Sequence, residues 1–222
     1  MIRYLLAMLL ISLSATGCVP QEPVVTLDPS TQCEQIIHPV LLSVPFEGLA
    51  QGQEKAESWI ITQFPTATVE FEPSELSGGD DIGWFYWSEN EKHFVLSLMQ
   101  SYRLIEQSSE QYPTLGQILR CFGEPEYFSL TRTPIGGEAI GVRLELWYPD
   151  RGIRFRSETW GLTEIRRYDA ESVMRGDVVI MPAGTAEEML RNWGAGSEEY
   201  VQEQLALLQK WPDNFTELVL EK

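Results

Sequence analysis

The sequence predicts an α+β fold in which two units, each a helix followed by antiparallel strands, share one sheet, with a helical tail at the C-terminus. Three observations predict it: a glycine motif that recurs 58 residues further along the chain, apolar helical stripes in register at the same offset, and segments that alternate apolar and polar residues. A duplicated unit explains all three.

The N-terminus has the plan of a secretory signal peptide over residues 1–17. Arg3 supplies one positive charge, an apolar run extends from Leu5 to Ile11, and small residues lead to Cys18. A run of about eight apolar residues is too short to cross a bilayer core, which takes about 20 helical residues. Residues 1–17 are therefore predicted to be cleaved off.

The segment Ala15-Thr16-Gly17-Cys18 resembles the lipobox of bacterial lipoproteins, in which small residues precede a lipid-modified cysteine. The resemblance implies lipidation of Cys18, with palmitate among the acyl chains, and residues 18–32 then form a flexible tether. The alternative is an ordinary secretory signal with a chance cysteine. We expect an extracytoplasmic protein, lipid-anchored in the cell membrane or the outer membrane.

The charge of the chain restricts its partners. The formal charge is −17 at pH 7, and it becomes one unit more negative when the signal peptide with Arg3 is removed. Nucleic acid is excluded as a partner, and the body of the protein is repelled by anionic lipid, so attachment depends on the acyl anchor. With 43% apolar and 11% aromatic residues, the chain can still bury a sizeable core.

The remaining cysteines, Cys33 and Cys121, leave two states open. They form a disulfide in an oxidising compartment, or they are two buried free thiols, since Cys121 falls on an apolar helical face. His38 and His93 make no zinc motif, and Gly78-Gly79-Asp80-Asp81 lacks the ligand spacing of a calcium loop. No metal or other cofactor is predicted.

The internal repeat is carried by Gly78-Gly79-Asp80-Asp81-Ile82-Gly83, which recurs as Gly136-Gly137-Glu138-Ala139-Ile140-Gly141. Matches on both sides keep the same offset, and they are Ile60, Ile61 and Phe64 with Ile118, Leu119 and Phe122, then Tyr102, Leu104 and Glu106 with Trp160, Leu162 and Glu164. We expect a tandem repeat domain over residues 33–168, with copies at about 53–109 and 111–167.

The first copy begins with a helix over residues 53–64, which ends before Pro65. Strands are predicted at 66–72, 84–87 and 94–100, with a turn near Glu89-Asn90-Glu91. The residues of the strand at 84–87 are all aromatic, so aromatic side chains are expected on both of its faces.

The second copy has the clearest local signals. Thr114 is the expected N-cap of a helix that runs to Phe122 and ends at Gly123. Strands are predicted at 127–131 and 142–148, and Pro149-Asp150-Arg151-Gly152 is a turn signal that pairs residues 153–156 back onto them.

Alternation sorts the two faces of this hairpin. The residues expected to pack under the helix are Val142, Leu144, Leu146, Ile153 and Phe155; those expected to face outward are Arg143, Glu145, Trp147, Arg154 and Arg156. The predicted sheet is buried on one face and wet on the other.

Residues 169–222 are predicted to be a C-terminal extension that packs on the edge or the end of the sheet. It contains a strand at 178–181 and two helices, 186–192 capped by Thr185 and 198–210 capped by Ser197.

The segment from Thr114 to Pro125, a helix ending in Gly-x-Pro before strands, resembles the tandem units of the β-lactamase-inhibitor protein and of the outer-membrane-assembly lipoproteins of the SmpA/OmlA type. The similarity covers about residues 53 to 168. It implies a protein-binding module without catalysis.

A binding face is predicted around Trp147, Arg143, Arg154 and Arg156, because exposed aromatic and arginine side chains are typical of protein interfaces. Eight arginines and seven acids between positions 132 and 175 make this segment basic on an acidic chain, which favours an acidic partner in the cell envelope. Cross-strand pairing of arginine with glutamate is the alternative. No catalytic residues are predicted, and an extracytoplasmic hydrolase or a structural spacer remain the other candidate functions.

Overall fold

The computed structural model describes residues 29–49, 52–74, 82–99, 103–136, 139–159, 167–193 and 197–220. The predicted signal peptide, Cys18, residues 78–81 of the first glycine motif and residues 137–138 of the second lie outside these ranges. The repeat positions Tyr102, Trp160, Leu162 and Glu164 also lie outside them. The described residues form an α+β fold with six helices, a nine-stranded antiparallel sheet and a separate two-stranded sheet.

Four short helices precede the first strand. They are α1 (Pro29–Ile36), a 3-10 helix (Pro39–Ser43), α2 (Phe46–Leu49) and α3 (Gln53–Gln63). The prediction that the flexible tether extends to residue 32 is wrong, because Pro29, which is well suited to a first helical position, begins α1. The predicted helix from Gln53 is confirmed.

The first antiparallel meander consists of four strands: β1 (Glu70–Pro73), β2 (Gly83–Glu89), β3 (Lys92–Leu98) and β4 (Arg103–Ser109). Each strand pairs with the next. Asn90 and Glu91 have positive φ angles of 50° and 62°, which matches the twist that a two-residue hairpin needs. The turn predicted here is confirmed.

Helix α4 (Leu115–Phe122) separates the two meanders. The Oγ1 atom of Thr114 accepts a hydrogen bond from the N–H of Gln117, whose side chain accepts one from the N–H of Thr114 in return. This capping box and Gly123, with a φ of 75°, explain both helix ends.

The second meander is β5 (Tyr127–Gly136), β6 (Ala139–Tyr148) and β7 (Ile153–Thr159). Gly152 closes the predicted turn between β6 and β7 with a φ of 63°, and a Cβ atom there would lie 2.0 Å from the carbonyl oxygen of Met181. The five residues of this hairpin that were predicted to face the core are all buried in it; they are Val142, Leu144, Leu146, Ile153 and Phe155.

The C-terminal part contains β8 (Arg167–Tyr168), β9 (Gly176–Ile180), α5 (Ala186–Asn192), α6 (Glu198–Leu207), β10 (Gln209–Lys210) and β11 (Leu218–Val219). The caps predicted at Thr185 and Ser197 are confirmed. Helix α6 ends three residues earlier than predicted, because Gln209 and Lys210 pair with β5 instead.

The strand order of the large sheet is β1-β2-β3-β4-β9-β7-β6-β5-β10. The prediction that the C-terminal extension packs on the edge or the end of the sheet is therefore wrong for β9, which lies in the middle. Val178, Val179 and Ile180 are all buried, so β9 is covered on both faces. Strand β9 joins the two meanders into one sheet.

Helices cover the two faces of this sheet unequally. The face that we call the core face carries α1 to α4, and Phe64 of the α3 end packs there with Trp87 and Phe94 at ring distances of 5.4 and 5.2 Å. The opposite face, which we call the outer face, carries α5 and α6. Met189 and Leu190 of α5 are buried there in a second hydrophobic cluster, which is separate from the main core.

A disulfide holds α1 on the core face. Cys33 in α1 and Cys121 in α4 are 88 residues apart in sequence, and their Cα atoms are 5.4 Å apart. The structure thus has the bonded one of the two states that the sequence left open. Gln107 on β4 adds polar contacts, because its side chain donates to the carbonyl of Ile36 and accepts from the N–H of His38.

We expect Cys33→Ser/Cys121→Ser to lower the free energy of unfolding by about 4 kcal/mol, since the open chain gains the entropy of an 88-residue loop. Urea denaturation of the mature chain measures this change. The reducing agent dithiothreitol should destabilise the unmodified protein and leave the double variant unaffected. Equal stability of the two proteins without reductant would contradict the bond.

Candidate functional site

One row of side chains crosses the outer face from strand to strand. In order from β1 to β5, the row is Glu70, Tyr86, Val95, Glu106, Val179, Arg154, Trp147 and Tyr127. The row divides at the contact between β4 and β9. On one side it is open to solvent, and on the other it lies under α5 and α6.

The covered half contains two residues of the predicted binding face. Trp147 is 1% exposed and Arg154 is 4% exposed, so the prediction that they form an uncovered surface is wrong. Both side chains point to the expected face of the sheet. They are buried because the helices α5 and α6, with Leu190 and Val201, pack over them.

The guanidinium of Arg154 is held between aromatic rings. It lies 3.6 Å from the ring centre of Trp193, at the end of α5, and 4.9 Å from that of Trp147. Its charge is matched by Glu145, whose Oε1 atom is 3.8 Å from Nη1. The cation–π contact with Trp193 attaches α5 to the sheet, while the buried ion pair with Glu145 joins β7 to β6 beneath it.

Arg143 and Arg156, the other members of the predicted face, are half-buried and form cross-strand ion pairs. Arg143 pairs with Glu158 between β6 and β7, and Arg156 pairs with Asp177 between β7 and β9. The alternative of cross-strand pairing therefore describes these residues. Their charges are neutralised within the sheet, so they offer no basic surface for an acidic partner.

Glu106 lies where the open and covered halves meet. Its carboxylate is partly buried, and this burial raises its pKa, while the guanidinium groups of Arg156 and Arg154 act in the opposite direction. In the sequence, Glu106 stands out only as a position of the internal repeat. A single charged residue in an alternating strand does not indicate that it lies between a covered and an open part of a sheet.

The open half of the outer face lies on β1, β2 and β3, and we call it the open half-sheet. Its residues are Glu70, Glu72, Trp84, Tyr86, Ser88, His93 and Val95. Tyr86 is 36% exposed, while Trp84 and Val95 are half-buried. A shallow depression of about 500 Å³ extends from Tyr86, His93 and Val95 to Thr66 and Thr68.

The aromatic segment at residues 84–87 supplies both faces, as predicted. Phe85 and Trp87 are in the core, whereas Trp84 and Tyr86 are on the open half-sheet. Burial raises the pKa of Tyr86, and the carboxylate of Glu72, which accepts a hydrogen bond from the phenol, raises it further. The acidic residues therefore lie directly beside the exposed rings.

The two histidines lie in different places. His93 is exposed on the open half-sheet, with its Nδ1 atom 2.8 Å from the hydroxyl oxygen of Ser88, and no described carboxylate bonds its other ring nitrogen. His38 is 3.3 Å from Glu89, and burial together with Lys92 lowers its pKa. Within the described ranges, neither histidine lies with both a nucleophile and a third residue that would orient its ring, as a catalytic triad requires.

Within the part of the chain that the structure describes, no three His, Cys, Asp or Glu side chains are grouped as a metal would require. Among the same residues, none of the helices has the length and apolar character to span a bilayer.

Comparisons with protein-family models, with curated proteins and with solved structures found no match to this chain. The resemblance to the β-lactamase-inhibitor protein and the SmpA/OmlA lipoproteins stays a prediction.

We expect Glu106→Gln to raise the thermal midpoint at pH 8 and to lose this advantage as the pH falls to about 4. The pKa of Glu106 is raised in the fold, so its contribution to stability is fully present below the unfolded pKa and is lost as the pH rises through the folded pKa. Thermal denaturation at both pH values measures the difference. Glu54→Gln, on an exposed position of α3, is the control for the change in charge; an equal shift in both variants would contradict the assignment.

Proposed function

We propose that this chain is a lipid-anchored, extracytoplasmic protein-binding module without catalytic activity, and that the open half-sheet is its binding surface. The observation that carries the proposal is the unequal cover of the outer face. Helices α5 and α6 cover Trp147 and Val179, while Trp84, Tyr86 and Val95 on the same face remain accessible.

The composition of the open half-sheet supports a protein as the ligand. Tyrosine and tryptophan are enriched in protein interfaces because one rigid ring buries much area at a small entropic cost. Polar residues, including Ser88 and His93, lie next to these rings. A structural spacer would have no use for such a surface, and the depression over Tyr86 is too open to enclose a small substrate.

We further propose that the two meanders arose by duplication. The sheet order places β1 to β4 on one side and β9, β7, β6 and β5 on the other, with β4 next to β9. Helices α3 and α4 present corresponding buried residues, Ile60 and Ile118, each 0% exposed. Strand β9 takes the fourth position in the second unit. Tandem units of this kind agree with the resemblance that implies protein binding.

Two features support an extracytoplasmic, lipid-anchored location. Cys18 stands in a lipobox-like segment, and the Cys33–Cys121 disulfide is typical of an oxidising, extracytoplasmic compartment. A tether from Cys18 to the start of α1 at Pro29 would hold the domain near the membrane that carries its anchor. The partner is then another protein of the cell envelope or the cell surface.

A hydrolase is the second candidate, and the hydrogen bond between Ser88 and His93 is the observation that favours it. Both residues lie within paired strands on an open surface. A hydrolase needs a group that orients the histidine and donors that stabilise an oxyanion, and the described surroundings of this pair supply neither. Protein binding therefore has more support.

We expect Cys18→Ser to move the protein from the membrane fraction to the soluble fraction when it is expressed in a bacterium that processes lipoproteins, because the acyl chains supply the membrane attachment. Fractionation and labelling with radioactive palmitate measure this. Cys33→Ser/Cys121→Ser is the matched control and should stay membrane-bound and labelled. Membrane retention of Cys18→Ser would contradict the anchor.

We expect a photo-crosslinking phenylalanine analogue at position 86 to give a discrete adduct in intact cells, since Tyr86 is at the centre of the open half-sheet. The same analogue at exposed Thr62 on α3, on the opposite side of the sheet, is the control. Gel mobility and mass spectrometry identify the adduct. The same pattern from both positions, or none from position 86, would contradict the proposed surface.

A further inference from the structure

Two carboxylate and ring pairs lie side by side on the open half-sheet. Glu70 is the cross-strand neighbour of Tyr86, and Glu72 is the cross-strand neighbour of Trp84. Such neighbours have Cβ atoms about 5 Å apart. Glu70 and Glu72 are two residues apart on β1, so the two pairs repeat at about 7 Å along the strand.

From this arrangement we propose that the binding partner presents an extended segment with lysine or arginine at alternate positions, and that each cation binds between a carboxylate and an aromatic ring of the open half-sheet. The inference rests on the proposed function, because it names the chemistry of the partner for that same surface.

The charges favour a cation. Glu70 and Glu72 are exposed, and in the described part of the chain no lysine or arginine pairs with either of them. A cation between such a carboxylate and the face of Tyr86 or Trp84 gains Coulombic attraction and a cation–π contact together. The net charge of −17 adds long-range attraction for a basic segment.

The arginines of the same face are already paired, so they do not form a surface for an acidic partner. Arg143, Arg154 and Arg156 are matched by Glu158, Glu145 and Asp177 respectively. The sequence suggested an acidic partner, whereas the paired arginines lead us to propose a basic one. Among the described residues, Glu70 and Glu72 on β1 are carboxylates of this face that have no such cationic partner.

The spacing favours an extended chain. Side chains on one side of an extended segment recur every two residues, at about 7 Å, which is the spacing of Glu70 and Glu72. Contiguous lysines would point alternately toward the sheet and away from it. A segment of the form basic-x-basic, lying along β1, places both cations on the surface at once.

The test uses fluorescein-labelled heptapeptides and the full mature chain with Cys18→Ser. One peptide has two lysines at alternate positions among five serines, and a second has the same residues with the two lysines adjacent. Fluorescence anisotropy gives Kd. We expect the alternating peptide to bind more tightly, and Glu70→Gln/Glu72→Gln to weaken its binding about tenfold, in line with the loss of two exposed ion pairs next to aromatic rings.

The matched control is Glu54→Gln/Glu57→Gln, which makes the same change in charge on the exposed side of α3 and should leave Kd within about twofold. Tyr86→Leu should weaken binding about threefold, because the aliphatic side chain keeps the apolar contact and loses the cation–π contact. Thermal midpoints of all variants confirm that each is folded. Equal losses in the two double variants, or equal binding of the two peptides, would overturn the proposal.

The crosslinking experiment separates this inference from the proposed function. If position 86 captures a discrete protein through a segment that lacks alternating basic residues, the basic segment is wrong and protein binding at the open half-sheet stands. If position 86 captures nothing, the proposed function itself fails. A captured segment with alternating lysine or arginine, together with the difference in Kd, supports both.

Discussion

The fold depends on the antiparallel contact between β4 and β9. Three residue pairs join these strands, Ile105 with Ile180, Glu106 with Val179 and Gln107 with Val178. Without them, each meander would end in a strand with unpaired backbone groups facing the other. Because β9 is also paired with β7, a strand from the C-terminal part of the chain makes one sheet of two halves.

This junction also explains why the two halves of the outer face differ in exposure. On the core face, apolar side chains continue across it without a break, from Phe85 through Leu96, Ile105 and Ile180 to Ile153. On the outer face, the chain leaves β9 and returns as α5 and α6, which can cover only the half beside them. The two halves of the outer face have similar strands. Helices α5 and α6 bury one of them, and the other is accessible to solvent.

Local signals in the sequence were sufficient for several elements. The Thr114 and Gln117 pair marks the start of α4, and the turn before Gly152 defines the hairpin of β6 and β7, because both depend on residues adjacent in the chain. Alternation also assigned Trp147 and Arg154 to the correct side of the sheet. It could not give their exposure, since that depends on helices about 40 residues further along.

The position of β9 within the sheet could not be predicted from the sequence for a related reason. A run of apolar residues from Val178 to Met181 is typical of a strand buried on both faces, yet strand order depends on contacts distant in sequence. The pairing of Cys33 with Cys121 likewise required the proximity of α1 and α4. Glu70 and Glu72, the residues that we propose for binding, carry no signal in the sequence other than the sign of their charge.

The bond between Cys33 and Cys121 has a mechanical consequence. It closes a covalent ring that contains all of β1 to β4, and with them the surface around Tyr86. Tension on the N-terminus can unravel the chain only as far as Cys33, where the force divides between the backbone and the sulfur bridge. A load applied to the surface around Tyr86 would therefore reach Cys33 along two covalent paths, and each path would carry only part of the force.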